Sequence, residues 1–336
     1  MGIAADIVEF FYTSNPNHPL VEGLPEFKHF GLPEPKLLGQ FMLHANNFNR
    51  SEILPVIQQL IAQGLLIPTG KALEGSPPMN ETYYSPIYCP DSAAYGMYDF
   101  AASGFPKIYN QFKDSVQAVV VTKENEDQDI GSGFSLSSRM FVTALHCILD
   151  MKKIEITGWN PYKAPLSNIY ISADDRIDLA ILKFEADPLP GASGFLCGEA
   201  KILDNILTMG YPPLPGFDKV LVAEKGQVAG HLKSTTGQIV TEEKSYLDQQ
   251  DYLLISARVK GGNSGGPVIT DKGCVTGVIS QLLAEGDGRA DILGYAAAIP
   301  FKTLKLLIDG CSNLPNSNVK NLPFQVTKEG FVSTFL

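Results

Sequence analysis

From Ser115 onward the chain is a succession of short apolar segments cut by turn residues, and that rhythm limits its possible folds more than any other feature. SVQAVVV, MFVTA, KIEIT, NIYIS, DLAILKF, NILTMGY, KVLVAEKGQVAGH, GQIVTEE, YLLISA, PVIT, CVTGVISQL and ILGYAAAI make about a dozen strand candidates in some 190 residues. So many short strands at this spacing predict an all-β barrel or sandwich. PFKTLKLLIDG then reads as one amphipathic helix, with Pro300 near its first turn and Gly310 at its stop.

The first part of the chain has a different period. Val8, Phe11 and Tyr12 mark one helical segment, and Leu37, Leu38, Phe41, Met42 and His44 a second. Ile53, Val56, Ile57, Leu60 and Ile61 mark a third at i, i+3, i+4, i+7, i+8, with Ser51 as its N-cap and Gly64 as its stop. LLIP, a Gly/Pro-rich turn and the strand-like TYYSPIY follow, an order that resembles a winged-helix module. SAAYGMYDFAASGFPK reads as the passage into the second part. The expected organisation is an α-rich, winged-helix-like interaction or regulatory domain at 1–110, a β-rich domain at 111–310 and a tail at 311–336.

At 44% hydrophobic and 18% charged, the 336 residues have ample material for a buried core. A net charge of -10 disfavours broad contact with nucleic acid or anionic lipid. Residues 1–110 hold 5 Lys/Arg against 10 Asp/Glu, and 36–90 hold 3 against 3. A DNA reader presents a basic face to phosphates. Residues 1–110 are therefore read as a docking module for a protein regulator or sensor, with a purely structural cap as the other reading. No stretch approaches the roughly 18 apolar residues of a membrane span, and no Lys or Arg precedes the first apolar run as in a secretory signal. The cysteines at 89, 147, 197, 274 and 311 are widely spaced and lack C-x-x-C pairing, so no metal site is expected. They are read as reduced thiols of a cytoplasmic protein.

Three segments carry chemistry. GGNSGGP (261–267) can hold a serine on a tight turn whose N–H groups converge on a developing oxyanion. TALHC (143–147) supplies His146 after an apolar strand. RIDLAIL supplies Asp178 at the entry to another, and a carboxylate there is costly unless paired. By itself each segment also fits a surface turn, a structural histidine or an exposed strand start.

Together, GSGF (131–134), TALHC, DLAIL, GYP (210–212), GGNSGGP, GVIS and AIP (298–300), in the order His, Asp, Ser, resemble the chymotrypsin superfamily over about residues 112–310. They are most similar to its HtrA-like and glutamyl-endopeptidase-like branches, although no PDZ-like segment is read after the β-rich part. The resemblance implies a trypsin-like double six-stranded β-barrel with the active site between barrels, and a serine endopeptidase acting on protein substrates without a cofactor. Ser264 would be the nucleophile, His146 the general base and Asp178 its orienting partner, with the N–H groups of Gly262 and Ser264 as the oxyanion hole. Ser280 would support Asp178 and line the cleft. Arg258 would stand near the base of the primary pocket, with Gln281 and Leu282 on its wall. A buried or half-buried Arg258 could select an acidic residue before the cut; it could equally serve as a structural cation or point away.

Two departures from the superfamily pattern carry expectations. Asn263 stands where digestive members have an aspartate that pairs with a newly cut N-terminus, so cutting before Gly131 or Val116 should bring no gain in activity. Cys147 has no cysteine near 128–134 to pair with, in keeping with a reducing compartment. A short regulatory protease without a secretion signal also resembles bacterial proteases that act as effectors in stress or defence. The competing reading is a catalytically silent protease fold serving as a scaffold.

Overall fold

The computed structural model describes residues 2–12, 36–44, 49–212, 231–246, 248–280, 295–313 and 317–333. It divides into two compact units, Met1–Ile108 and Tyr109–Leu336.

The first unit contains α1 (Ile3–Phe11), β1 (Lys36–Leu37), α2 (Leu38–His44), α3 (Arg50–Ala62), β2 (Ile67–Lys71), β3 (Glu81–Tyr84), α4 (Pro90–Tyr95) and α5 (Met97–Ser103). The strands form a sheet in the order β1-β3-β2. Phe10, Phe11, Phe41 and Tyr83 centre its core, with ring centroids 4.8 to 6.2 Å apart. The N-cap of α3 is Asn49, not Ser51: the Asn49 Oδ1 accepts from the Ser51 N–H at 3.2 Å. At the other end Gly64 takes φ 68°, with Gly64 N–H donating to Ile61 and Leu65 N–H to Leu60, a Schellman stop.

SAAYGMYDFAASGFPK is helical rather than a linker, in α4, α5 and α6 (Phe105–Phe112). Its glycines are the breaks between helices: Gly96 lies at φ 99° and Gly104 at φ 65°. The aromatics between them, Tyr98 and Phe100, are buried.

The second unit begins with β4 (Val116–Thr122), β5 (Gln128–Ser137), β6 (Met140–Thr143), β7 (Met151–Ile156), β8 (Leu166–Ser172) and β9 (Ala180–Phe184). It continues with β10 (Asn205–Gly210), β11 (Lys233–Lys244), β12 (Asp251–Ile255), β13 (Pro267–Thr270), β14 (Val275–Ser280) and β15 (Ala296–Pro300). After α7 (Phe301–Ser312) come β16 (Val319–Asn321), β17 (Phe324–Val326) and β18 (Phe331–Ser333). KVLVAEKGQVAGH lies outside the described residues except for His231. Helix α7 runs through Gly310, which is buried within it and does not end it.

The second set of strands is a closed six-stranded barrel, β10-β11-β12-β15-β14-β13. The first set differs from the expected closed barrel. It is part of an open nine-stranded sheet, β16-β8-β9-β6-β5-β4-β7-β18-β17. Inward residues such as Val121, Phe141, Ile154, Ile169 and Leu182 still share one core, so the sheet is a half-barrel wrapped around it. The tail segments occupy the edges that a closed barrel would join. Antiparallel β16 pairs with β8, and β18 with β7. Leu322 and Phe331 enter the core, the latter edge-on to Trp159 at 6.1 Å. Gly330 is required beside β7, because a Cβ there would run into the Ile154 carbonyl.

Candidate active site

The GGNSGGP segment leaves β12 and enters β13 through two consecutive tight turns. Asn263 N–H donates to Lys260 at 3.1 Å, and Gly266 N–H donates to Asn263 at 2.9 Å. The third residue of each turn has a left-handed φ, 88° at Gly262 and 84° at Gly265, which is the type II pattern and calls for glycine. Ser264 occupies the second position of the second turn and is 7% exposed. Gly266 is enforced differently, because a Cβ there would run into the Met209 carbonyl.

His146 lies in a 3-10 turn, Leu145–Cys147, directly after β6. Asp178 lies just ahead of β9, which pairs with β6, so adjacent strands deliver both residues to one end of the sheet. The Asp178 Oδ1 accepts the His146 N–H at 2.8 Å, and its Oδ2 meets His146 Nδ1 at 2.7 Å. From the other barrel, Ser280 on β14 donates its Oγ–H to the same Oδ2 at 2.6 Å. Three hydrogen bonds satisfy a carboxylate with only 20% of its side chain exposed. Burial works against an imidazolium at His146, but the hydrogen bonds to Asp178 and Cys147 outweigh it and hold the ring above its ordinary pKa of 6.5. With Asp178 at Nδ1, Nε2 is the ring atom left for proton transfer.

The structure thus brings His146 and Ser280 each into direct contact with Asp178. Nε2 of His146 faces the Cys147 Sγ at 3.5 Å, and that thiol also reaches the Ser264 carbonyl at 3.6 Å. Among the described residues, no hydrogen bond joins Ser264 Oγ to His146. Arg258 is exposed and, among the described residues, its guanidinium enters no ion pair, while its carbonyl accepts from Thr235 Oγ1 at 2.9 Å. Gln281 and Leu282 lie outside the described residues. All five cysteines are free. A Cβ at Gly131 would come within 2.5 Å of the Cys147 Sγ, so the glycine gives this thiol its space.

Sequence reasoning missed Ser132. Fully buried on β5, it donates its N–H to the Ser264 carbonyl at 2.8 Å and its Oγ–H to the Gly262 carbonyl at 2.6 Å. GSGF was legible as a motif, but nothing in it says what its serine touches.

Residues 131–278 match the family model described as the trypsin-like peptidase domain, a span that contains His146, Asp178 and Ser264. Over that span the chain is similar to a trypsin-like peptidase domain. Relatives of this chain include a "probable periplasmic serine endoprotease DegP-like" of Ectopseudomonas mendocina, 30% identical over 184 residues. That match covers 54% of this chain and 34% of the relative. Another of the same description, from Chlamydia trachomatis, is 27% identical and is covered to 34% for 55% of this chain. The chain therefore spans about a third of the length of the curated relatives it matches. Among solved structures, the HtrA-type protease AlgW with tripeptide is similar at TM-score 0.45 and 19% identity, over 62% of this chain and 63% of that one. The serine endoprotease from Yersinia pestis is similar at TM-score 0.43 and 20% identity, over 62% and 66%. No helix of the described residues is long and apolar enough to cross a membrane.

Proposed function

We propose that the chain is a serine endopeptidase that cleaves protein substrates through an acyl-enzyme intermediate. The carrying observation is the clamp on Asp178 by His146 Nδ1, His146 N and Ser280 Oγ. In this reading Asp178 fixes the tautomer of His146 and stabilises its charged form. His146 Nε2 takes the proton from Ser264 Oγ as it attacks the scissile carbonyl, and returns it to the leaving amine. The N–H groups of Gly262 and Ser264 receive the oxyanion, a reading supported by the two type II turns that present them. Arg258 is exposed rather than half-buried, and its role in recognising an acidic residue before the cut is supported only by a guanidinium that enters no ion pair among the described residues. Arg258→Ala should then erase a preference for Asp or Glu in a mixed peptide library, and an unchanged preference would refute the assignment.

Residues 1–110 serve as the docking module for a protein regulator or sensor in this reading, a role that the acidic balance of the segment supports over nucleic acid. A cytoplasmic location is supported by the five free thiols, while the curated relatives above are named as periplasmic. An effector role in bacterial stress or defence rests on resemblance to regulated proteases alone.

One observation favours a second reading. His146 Nε2 faces Cys147 rather than Ser264, as expected of a latent enzyme or a silent scaffold, although such bonds often form only with substrate in place. A fluorescent fluorophosphonate separates the readings. Labelling of the full chain that disappears in Ser264→Ala supports the peptidase. An unlabelled wild-type chain supports the latent or silent state.

A further inference from the structure

Ser132 makes four hydrogen bonds, and two of them go to the nucleophile turn. Its main-chain N–H donates to the Ser264 carbonyl at 2.8 Å, and its carbonyl accepts from Thr143 Oγ1 at 2.7 Å. Its Oγ accepts the N–H of Tyr211 at 2.8 Å and meets the Gly262 carbonyl at 2.6 Å. Direction follows from chemistry. A backbone N–H can only donate and a carbonyl can only accept, so the hydroxyl proton has to point at Gly262. The residue is 0% exposed, and no solvent competes for these bonds.

The two carbonyls that it holds belong to Gly262 and Ser264, on either side of Asn263. The N–H of Asn263 closes the first type II turn on Lys260, so the Gly262–Asn263 peptide is fixed at its oxygen by Ser132 and at its nitrogen by Lys260. The third bond ties the same serine to Thr143, three residues before His146 on the strand that leads to it. One buried residue on β5, through its side chain at Gly262 and its main chain at Ser264 and Thr143, therefore sets the nucleophile turn, which leads into the closed barrel, against the histidine turn of the half-barrel. Around it the space is already closed: a Cβ at Gly210 would come within 2.9 Å of Ser132 Oγ.

We infer that Ser132 is a positioning residue, which holds the Gly262–Ser264 turn in the shape that presents its N–H groups to an oxyanion. This rests on the peptidase reading of the site. Losing a single oxyanion donor outright costs about 10²–10³-fold in rate, and loosening the turn that carries two donors forfeits part of that, about tenfold or more.

The full-length chain and its Ser132→Ala, Ser132→Cys and Ser264→Ala variants are reacted with a fluorescent fluorophosphonate across pH. Amide hydrogen exchange of peptides covering 258–267 is followed in parallel. In Ser132→Ala the labelling rate should fall about tenfold or more, with its pH midpoint unmoved because the His146–Asp178 pair is untouched. Exchange should quicken in 258–267 and not in β5 or β14. Ser132→Cys keeps a weak donor and nearly the same volume, so it should recover part of the rate, and it carries the comparison if the alanine variant does not fold. A rate within about twofold of wild type, with exchange at 258–267 unchanged, would overturn the inference. Ser264→Ala that labels like wild type would overturn the peptidase reading instead, and the exchange result would still decide whether Ser132 holds the turn.

Discussion

Two glycines of one motif, four residues apart, should respond very differently to the same substitution. At Gly265 an alanine would have to hold φ near 84°, which costs an L-residue roughly 1–2 kcal/mol. Its Cβ would also lie 2.5 Å from Thr143 Oγ1 and 2.7 Å from the Ala144 nitrogen, and against the Ser132 carbonyl. Two of these three atoms are backbone and cannot swing aside, so β5 and the start of the histidine turn must shift, at an overpacking cost of about 1–3 kcal/mol. The total is about 2–5 kcal/mol, or a fall in melting temperature of roughly 10 °C for a unit of this size. At Gly261 the same methyl would meet nothing within 4 Å, and its φ is not left-handed. Gly261→Ala should therefore stay within about 0.5 kcal/mol of wild type. Thermal melts followed by circular dichroism, with fluorophosphonate labelling at 20 °C below each midpoint as a companion readout, decide the matter (the offset being roughly a safe margin for a cooperative domain). Equal melting temperatures for the two variants would show that the turn is not held as described, and the type II assignment would fall with it.

Four further outcomes are expected. Asp178→Asn keeps the size of the side chain but places an amide where His146 Nδ1–H and Ser280 Oγ–H both need an acceptor, so the labelling rate should drop by about 10³–10⁴-fold; a loss below about tenfold would remove Asp178 from the mechanism. Because His146 must be neutral to act as a base and its pKa is raised, the acid limb of the pH–rate profile should have its midpoint above 6.5, where a midpoint below 6.5 would contradict the geometry. The same raised pKa contributes stability that is fully present below 6.5 and is lost as pH climbs through the folded-state value, so the melting temperature should decline as pH rises from 6.5 across that limb. Phe331→Ala, which empties a fully buried site beside Trp159, should cost about 3–5 kcal/mol, and a melting temperature unchanged within error would show that the tail is not part of the core.

Much of the second unit was legible because its strands are long enough to show a pattern. VQAVVV, NIYIS and AILKF each place several apolar residues in a run bounded by turns, and each became a strand. Strands β16, β17 and β18 have three residues apiece, too few to display alternation, and the β8 and β7 edges that β16 and β18 join lie more than a hundred residues away. Helices α4 to α6 were hidden by Gly96 and Gly104, since a glycine that separates two short helices looks in sequence like a glycine in a loop. Asn49 outranked Ser51 as a cap because the chain is still extended at Asn49, at ψ 121°, where a side chain can reach back to the second N–H. In the candidate site, residue types announced His146, Asp178, Ser264 and Ser280. The thiol of Cys147 at Nε2 and the four bonds of Ser132 depend on how two strands face each other, and residue type carries no record of that.

The tail also fixes an order of assembly. On a ribosome, β4 to β9 emerge before the closed barrel has begun, yet the outer edges of β7 and β8 acquire their partners only when residues 319–333 appear. Bare sheet edges are templates for pairing with other chains. The half-barrel that carries His146 and Asp178 is thus completed last, and until then the nascent chain has two open edges in need of shelter. A variant that weakens β16 or β18 should therefore show itself first as insoluble product during synthesis, before any loss can be measured in the purified, folded protein.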